Sequence, residues 1–282
     1  MNENAIDLLA EGREANFRDE FRRGNVVTLG GEGTLVAAGD IHGHRRNLER
    51  ILSFADLAGN PDRHLILQEI IHGGPRDAAG DCISYQLLFD VIRCKIDFPD
   101  RLHLIMGNHD TAFISDRPVM KDGQEMNRLF RQAIERHFGG ENAGVIDAMR
   151  RFLLSQPLAV RTANRIWFSH SLPSDNLLPK FDSGIFERQL SRRDCERPGS
   201  VYILTWGRRH SRGLLEKMAA LLDVDVFVLG HQTAETGCRS AGGNTVIINA
   251  EHDHGCLVQI DLAASYTAAK VISSTVKLAS VP

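Results

Sequence analysis

The fold is decided by TLVAAGDIHGHRRNLERILSFA, residues 34–55. An apolar run over residues 34–38 is typical of a buried strand, and Gly39 marks a turn directly after it. Residues 47–57 then carry apolar side chains at helical spacing. The stretch therefore predicts a strand, a polar loop and a helix, which is a building unit of α/β domains.

Three further segments repeat the arrangement of an apolar stretch followed by a polar turn. They are GNHD at residues 107–110, FSH at 168–170 and LGHQ at 229–232. Polar residues at successive strand ends can converge at one sheet edge, so we expect these segments to meet there. Together with the first loop they supply oxygen and imidazole donors, namely Asp40, His42, Asn108, His109, His170 and His231.

This donor set predicts a metal site. Mixed oxygen and imidazole ligands suit manganese, iron or zinc better than magnesium or calcium. Two such ions about 3.5–4 Å apart can clamp a phosphoryl group and activate a water. Taken singly, Asp40 could instead cap the following helix, and a histidine at a strand end is more often structural. The order and spacing of the four segments favour a two-metal phosphoesterase site.

The remaining chain alternates predicted helices and strands in one large domain. Helices are expected at 5–23, 83–96, 124–138, 145–154 and 214–222, and strands at 64–71, 102–106, 158–161, 165–169, 226–229, 246–249 and 257–261. We divide the chain into an N-terminal helical extension, 1–30, and a catalytic domain, 31–282. Within that domain, 111–155 is a helical insertion that is expected to cap the site.

Composition restricts the class of protein. The 282 residues are 43% hydrophobic, enough for a substantial core, and the net charge of −3 gives no reason to expect nucleic-acid binding. No apolar stretch approaches the roughly 20 residues that span a bilayer, so we expect no membrane segment. The five cysteines form no CxxC pair, which favours reduced thiols and a cytoplasmic location. The oligomeric state stays open.

The order GDxHG, GNHD, a single histidine after a strand and then GH resembles that of the calcineurin-like metallophosphoesterases, over roughly residues 34–262. Finer similarities favour the branch of phosphoprotein phosphatases and symmetrical diadenosine-tetraphosphate hydrolases. They are QPLAVRTANRIWFSHSLP at 156–173, VYILTWGRR at 201–209 and GNTVIINAEHDHGCLVQIDL at 243–262. The resemblance implies an α/β (α+β) fold, a central β-sandwich flanked by helices. The branch's usual Asp-Thr-Gly near Asn249 is absent.

The resemblance also implies roles for the donor residues. Asp40 and His42 would bind the first of two divalent ions, and Asn108, His170 and His231 would bind the second. His109 would stabilise the transition state or protonate the leaving oxygen, and Asp110 would hold the loop or the imidazole. Gln232 stands where other branches have a second histidine, so the first ion has one protein ligand fewer.

The chain departs from the family between the first and third motifs. Where the family has GDxxDRG, this chain has QEIIHGG at residues 68–74. Glu69 keeps the carboxylate that would bridge both ions, although with one more methylene. His72 replaces the aspartate that orients the catalytic histidine and could hydrogen-bond or bind metal itself, or be a plain loop histidine. Gly73 removes the arginine that binds phosphate.

Replacements for that arginine are Arg76, Arg208 and Arg209, each of which could equally be a surface charge. His252 and His254 lie near the expected end of the final strands. We interpret them as part of a polar hairpin, with the alternative that they restore the missing ligand of the first ion.

These observations favour a phosphatase that uses two divalent ions, with manganese first and iron or zinc as alternatives. The favoured substrate is phosphoserine or phosphothreonine in proteins. A nucleotide such as diadenosine tetraphosphate is the first alternative. A metal-binding scaffold with little catalysis is the second, because the orienting aspartate and the phosphate-binding arginine are both missing.

Overall fold

Two β-sheets pack face to face in the computed structural model of the chain, which describes residues 4–121 and 123–282. The strands are β1 (Arg22–Arg23), β2 (Val26–Leu29), β3 (Thr34–Asp40), β4 (Arg63–Gln68), β5 (Leu102–Ile105), β6 (Met120–Lys121), β7 (Gln124–Glu125), β8 (Ala159–Thr162), β9 (Ile166–Ser169), β10 (Val226–Leu229), β11 (Cys238–Ser240), β12 (Thr245–Ile248), β13 (Cys256–Asp261) and β14 (Thr275–Lys277). Among the described residues, the larger sheet has the order β1-β2-β8-β9-β10-β12-β11 and the smaller sheet β14-β13-β3-β4-β5. Strands β6 and β7 form a separate hairpin.

The period of two along the strands explains the layers. In β3, Leu35 and Ala37 face the interior between the sheets, whereas Val36 and Ala38 face the helical layer outside. Both faces of this strand are buried, which is why its sequence is a continuous apolar run. Strands β3, β4 and β5 are parallel to one another, as are β9 and β10.

Helices cover the outer faces of both sheets, except for the last helix, whose Ala268 and Val271 join the apolar cluster between the sheets. They are α1 (Ala5–Arg18), α2 (Arg45–Ala55), α3 (Tyr85–Asp97), α4 (Asn108–Ser115), α5 (Met126–Phe138), α6 (Asn142–Leu154), α7 (Arg192–Cys195), α8 (Ser200–Thr205), α9 (Arg212–Leu222) and α10 (Ala268–Ser273). Helices α1 to α6 share one apolar cluster with the outer face of the smaller sheet. Leu214 and Met218 of α9 join Phe227 on the outer face of the larger sheet. The predicted sandwich flanked by helices is confirmed.

The first helix is shorter than predicted. The 5–23 prediction is wrong beyond Arg18, because α1 ends there and Arg22–Arg23 pairs as a strand with β2. The Asp19 carboxylate accepts the Phe21 backbone N–H at 3.0 Å, which turns the chain out of the helix. Helix α1 packs beside α3 and α6, and a side chain on Gly12 would collide with Ile92 at 2.5 Å.

The insertion contains the two predicted helices, α5 and α6, which lie in the outer helical layer. It approaches the end of the sandwich through the β6–β7 hairpin and the first residue of α5. No helix within the described residues is both long enough and apolar enough to cross a membrane.

Candidate functional site

The predicted donor residues meet at one end of the sandwich. Asp40 ends β3, Glu69 directly follows β4 and Asn108 follows β5, so the smaller sheet contributes these three. His170 follows β9 and His231 follows β10 in the larger sheet. The expectation of a single sheet edge is therefore wrong. The donors converge because the parallel strands of both sheets end on the same side.

One group of donors surrounds the Asn108 amide. Its Oδ1 lies 2.8 Å from His170 Nε2 and 2.8 Å from His231 Nδ1, and the two imidazole nitrogens are 3.2 Å apart. On the far side of the ring, His170 Nδ1 donates to Gln68 Oε1 at 2.9 Å, because the Gln68 amide nitrogen is already bonded to the Ala38 carbonyl. His170 Nε2 thus keeps its lone pair facing an oxygen, an arrangement that a cation stabilises.

A second group surrounds His42. Its Nε2 lies 3.9 Å from Asp40 Oδ2 and 3.8 Å from Glu69 Oε2. Ligand atoms of His42, Glu69 and His109 all lie within 4.8 Å of one another, so His109 borders this group of donors. The other ring nitrogen of His42, Nδ1, lies 3.1 Å from the Ile71 carbonyl, and this contact fixes the orientation of the imidazole.

Glu69 lies between the two groups. Its Oε1 is 3.9 Å from His170 Nε2, whereas Oε2 faces His42 and has no hydrogen-bond partner among the described residues. Oε1 also accepts the His109 backbone N–H at 3.0 Å. A buried carboxylate oxygen without a partner is costly. The position and the free oxygen both fit a carboxylate that bridges two cations.

The backbone at the site is held in unusual conformations. The left-handed region is occupied by His42 (φ 44°), Glu69 (φ 48°), His72 (φ 66°) and His231 (φ 63°). In residues other than glycine this costs about 1–3 kcal/mol each and is typical of functional sites. Gly107 is required for a steric reason instead. A Cβ at this position would lie 1.7 Å from Glu69 Oε1.

Burial makes the carboxylates hard to ionise unless a cation is nearby. Burial raises the pKa of Asp40 to about 7, against the effect of the hydrogen bond from the His231 backbone N–H. Burial, together with the charges of Asp110 and Asp40, raises the pKa of Glu69 well above its usual range. Bound divalent cations would reverse both shifts.

The imidazoles are kept neutral, which is the form that binds metal. Burial and neighbouring positive charges lower the pKa of His42, His109 and His170 well below the ordinary value. Burial and then the charge of Arg208 lower the pKa of His231 to about 3. The site therefore combines neutral imidazoles, which have free lone pairs, with carboxylates that have no cation as a partner. This combination matches the chemistry of a two-ion site.

His109 is oriented by His72. Their Nδ1 atoms lie 3.0 Å apart, so one imidazole donates its N–H to the other. Asp110 has a different position, since its Oδ2 accepts the Gly107 backbone N–H at 2.9 Å and caps α4. Of the two roles expected for Asp110, the structure places it at the loop rather than at the imidazole.

The predicted phosphate-binding arginines are placed differently from one another. Arg208 Nη1 donates to the His231 carbonyl at 3.0 Å, at the border of the metal-type donors. Arg76 is exposed and donates to the Gly80 carbonyl at 2.9 Å, beside a cavity that His42 also lines. Arg209 is exposed. None of the three has a direct contact with a donor side chain among the contacts described.

The two histidines of the final hairpin lie further out. His252 Nε2 lies 3.0 Å from the Ala234 carbonyl, and His254 is exposed. The same hairpin instead brings in Glu251, whose Oε2 lies 3.9 Å from His42 Nε2.

Three residues near the donors were not predicted: Gln68, Lys121 and Glu251. Gln68 precedes the predicted Glu69 at a strand end, so its position carried a usable signal. Glu251 adjoins the His252 pair, but its sequence context is an ordinary polar turn. Lys121 lies in the insertion, where the sequence pattern contains no ligand motif.

A cavity of about 500 Å³ opens beside His42. Its lining is polar and includes Gly73, Arg76, Lys121 and Glu251. The site is thus reached from solvent on the side of the β6–β7 hairpin.

Comparisons with known proteins agree with this geometry. The family model of the calcineurin-like phosphoesterases matches residues 33–260. A Saccharomyces cerevisiae protein serine/threonine phosphatase with similarity to human phosphatase PP5 superposes with a TM-score of 0.66 at 13% identity, over 91% of this chain and 81% of that one. A cold-active protein-tyrosine phosphatase of a psychrophilic Shewanella species superposes with a TM-score of 0.55 at 15% identity, over 84% and 77%.

No curated protein shows significant similarity to the sequence. The family match spans most of the chain and covers every predicted donor residue, and both solved structures share the fold. The chain therefore belongs to the calcineurin-like phosphoesterases, a family of metal-dependent hydrolases of phosphoric esters whose sites hold two metal ions.

Proposed function

We propose that this protein hydrolyses phosphate monoesters with two divalent ions bound at the end of the sandwich. One ion would be held by Asp40 and His42. The other would be held by Asn108, His170 and His231, and Glu69 would contact both ions. The observation that carries the proposal is the position of Glu69, whose two carboxylate oxygens face the two donor groups. Manganese fits this mixture of oxygen and imidazole donors, with iron and zinc as alternatives.

When bound, the ions supply Lewis acidity that neutralises phosphoryl charge. The chain's own residues then orient the reaction. The His231 backbone N–H holds Asp40 Oδ1 at 3.0 Å, and His72 holds the His109 ring at 3.0 Å. His109 lies at the beginning of α4, where it can hydrogen-bond to the leaving oxygen of the ester.

For the substrate we favour phosphoserine or phosphothreonine in a protein. The cavity beside His42 is open and polar, and among its described lining residues there is no phenylalanine, tyrosine or tryptophan on which an adenine could stack. An open, polar cavity suits an extended peptide, and diadenosine tetraphosphate stays the first alternative because the His252 imidazole, which also lines the cavity, could stack on an adenine. A phosphotyrosine peptide belongs in the same test, because the Shewanella relative in fold is a protein-tyrosine phosphatase. The five free cysteines accord with the predicted cytoplasmic location.

The test is hydrolysis of an aryl phosphate by protein stripped of metal and reloaded with manganese. We expect turnover that depends on manganese. In His109→Asn it should fall at least a hundredfold with an alkyl phosphate, the range of a general acid–base group, and by less with the aryl phosphate, whose leaving group needs less protonation. Phosphoserine, phosphothreonine and phosphotyrosine peptides and diadenosine tetraphosphate then rank the substrates by kcat/KM.

The scaffold alternative rests on His72 and Gly73, which replace two functional residues of the family motif. It would be favoured by a protein that binds two manganese ions and shows no turnover on any of these substrates. In that case Asp40→Asn would weaken metal binding and change no activity, because the wild type has none.

A further inference from the structure

The resemblance to the family motif implies a phosphate-binding cation at position 73, where this chain has Gly73, and another cation lines the same cavity. Lys121 is the last residue of β6, in the hairpin of the insertion, and its ammonium forms an ion pair with Glu251. Both side chains line the cavity beside His42, together with Gly73. The hairpin therefore delivers a positive charge to the side of the site where the guanidinium is absent.

The ammonium lies close to the centre of the site. It pairs with Glu251 Oε2, and that oxygen is itself 3.9 Å from His42 Nε2. The positive charge of Lys121 also acts to lower the pKa of buried side chains on the His42 side of the site, namely Asp40, His42, Glu69, His72 and His109. Arg76, by comparison, is exposed and bonded to the Gly80 carbonyl.

The partner of Lys121 is fixed to the sandwich. Glu251 Oε1 accepts from Asn249 Nδ2 at 3.2 Å, and the Glu251 backbone N–H donates to Asn249 Oδ1 at 2.9 Å. Asn249 in turn pairs with Asp40 as a β-bridge. Glu251 thus holds the lysine at a defined distance from the donors, while the side chain of Lys121 keeps 23% of its surface exposed to the cavity.

We propose that Lys121 binds the phosphoryl group of the substrate, in place of the arginine that Gly73 lacks. An ammonium has three N–H donors, so it can keep Glu251 on one and offer the others to phosphoryl oxygens. As a point charge on a flexible stem it needs no fixed fork geometry, unlike an arginine. This inference rests on the proposed function, since it names a substrate-binding residue of the same site.

The competing explanation is that the Lys121–Glu251 pair only fastens the hairpin to the sandwich. The two explanations differ for Glu251→Gln. If the pair is only a fastening, Lys121→Met and Glu251→Gln should have the same effects. If Lys121 binds phosphate, removal of its competing carboxylate should leave phosphate affinity unchanged or increase it.

The experiment measures inorganic phosphate with the manganese-loaded full chain, as a competitive inhibitor of aryl phosphate hydrolysis and directly by calorimetry. We expect Lys121→Met to weaken phosphate binding and raise KM by about tenfold to a hundredfold, as for a lost charge-assisted hydrogen bond. Lys121→Arg should recover most of the affinity. The matched control is Lys217→Met, on the exposed side of α9, which should bind phosphate like the wild type.

Phosphate affinity within twofold of wild type in Lys121→Met would overturn the proposal. Equal losses of phosphate affinity in Lys121→Met and Glu251→Gln, each with a lower unfolding temperature, would also overturn it. They would show that the ion pair only attaches the hairpin to the sandwich. A wild type that binds phosphate through Lys121 but hydrolyses nothing would refute the proposed function alone. A loaded wild type that binds no phosphate would refute the assignment of Lys121.

Discussion

Glu69 is the residue on which the two-ion interpretation depends. Its carboxylate is fixed from one side by the His109 backbone N–H, at 3.0 Å from Oε1, and the other oxygen has no partner among the described residues. The family's usual aspartate is one methylene shorter. In this chain the Glu69 backbone adopts a φ of 48°, and the two carboxylate oxygens face the two donor groups. Glu69 thus keeps a carboxylate between the two donor groups, where we expect it to bridge two ions.

Gly107 leaves the space that the Glu69 carboxylate fills. Gly107→Ala would put a Cβ 1.7 Å from Glu69 Oε1. The backbone φ of Gly107 is −108°, which alanine adopts freely, so the fold should persist. We expect manganese-dependent kcat to fall by about a hundredfold, the effect of misplacing a catalytic group by an ångström. Steady-state kinetics with circular dichroism checks this, and unchanged kcat in a folded variant would contradict the position given to Glu69.

His72 gives His109 a neutral partner, at a position where the family resemblance leads us to expect a carboxylate. The substitution His72→Asp would place a negative charge beside His109 and favour the protonated form of that imidazole. We expect kcat to rise by about tenfold, with the largest gain for alkyl esters, whose poor leaving groups need protonation most. Kinetics with aryl and alkyl phosphates measures the gain.

The same substitution has a structural cost, because the His72 ring centroid lies 5.1 Å from that of Phe130. Urea unfolding of the variant separates the two effects. A fully folded His72→Asp protein with lower kcat on both ester classes would mean that the imidazole pair is adapted to this site.

At the level of elements, the end of α1 is held by a buried ion pair. Asp19 Oδ2 lies 2.8 Å from His103 Nδ1 and 3.4 Å from Lys95 Nζ. Burial acts to raise the pKa of Asp19, but the hydrogen bond and charge of His103 and the charge of Lys95 together bring it below the ordinary value. Because the folded pKa is lowered, this stabilisation is present above the unfolded pKa and is lost as pH falls through the folded one.

Asp19→Asn should therefore destabilise the protein by about 3 kcal/mol at pH 7, because it leaves Lys95 buried without its counter-charge. The loss should shrink below about pH 4, where Asp19 begins to be protonated in the unfolded chain. Urea unfolding at pH 7 and pH 3 measures both values. A destabilisation that grows towards low pH would contradict the sign of this account. Metal affinity should not change, since His103 lies near the beginning of β5 and Asn108 follows its end.

Elements that combine an apolar run with a following polar turn could be predicted from the sequence. Strands β3, β5, β9 and β10 and helices α2, α3 and α9 are at or within a few residues of their expected places. Helix α4 was not predicted, because GNHD is also ordinary turn chemistry and the helix is settled by the burial of Phe113 and Ile114. The end of α1 depends on Asp19 and its distant partners, which local spacing does not reveal.

At the scale of the whole molecule, the division into two sheets is a long-range property. Strand β2 pairs with β8, more than a hundred residues later, and β3 pairs with β13. Periodicity predicts strands but not their partners, so the sandwich followed from the family resemblance alone. The predicted donor residues could be selected from the sequence pattern, and the structure brings them close together, whereas Lys121 and Glu251 lie beside them only because of the fold.

Because the donors come from both sheets, metal binding should stabilise the whole fold. A ligand that binds only the native state raises the free energy of unfolding by about 2.7 kcal/mol when its concentration is 100 times Kd. We expect manganese to raise the unfolding temperature by several degrees and a chelator to reverse it, with the shift lost in Asp40→Asn. Differential scanning calorimetry tests this. Equal unfolding temperatures with and without manganese would contradict a site shared by the two sheets.

The central claim is that two ions are bound with the Glu69 carboxylate between them. Anomalous diffraction from crystals of the manganese-loaded protein tests it most directly. The account predicts two peaks about 3.5–4 Å apart, one beside His42 and the other beside His170, with Glu69 in contact with both. A single peak, or two peaks that do not share Glu69, would contradict it.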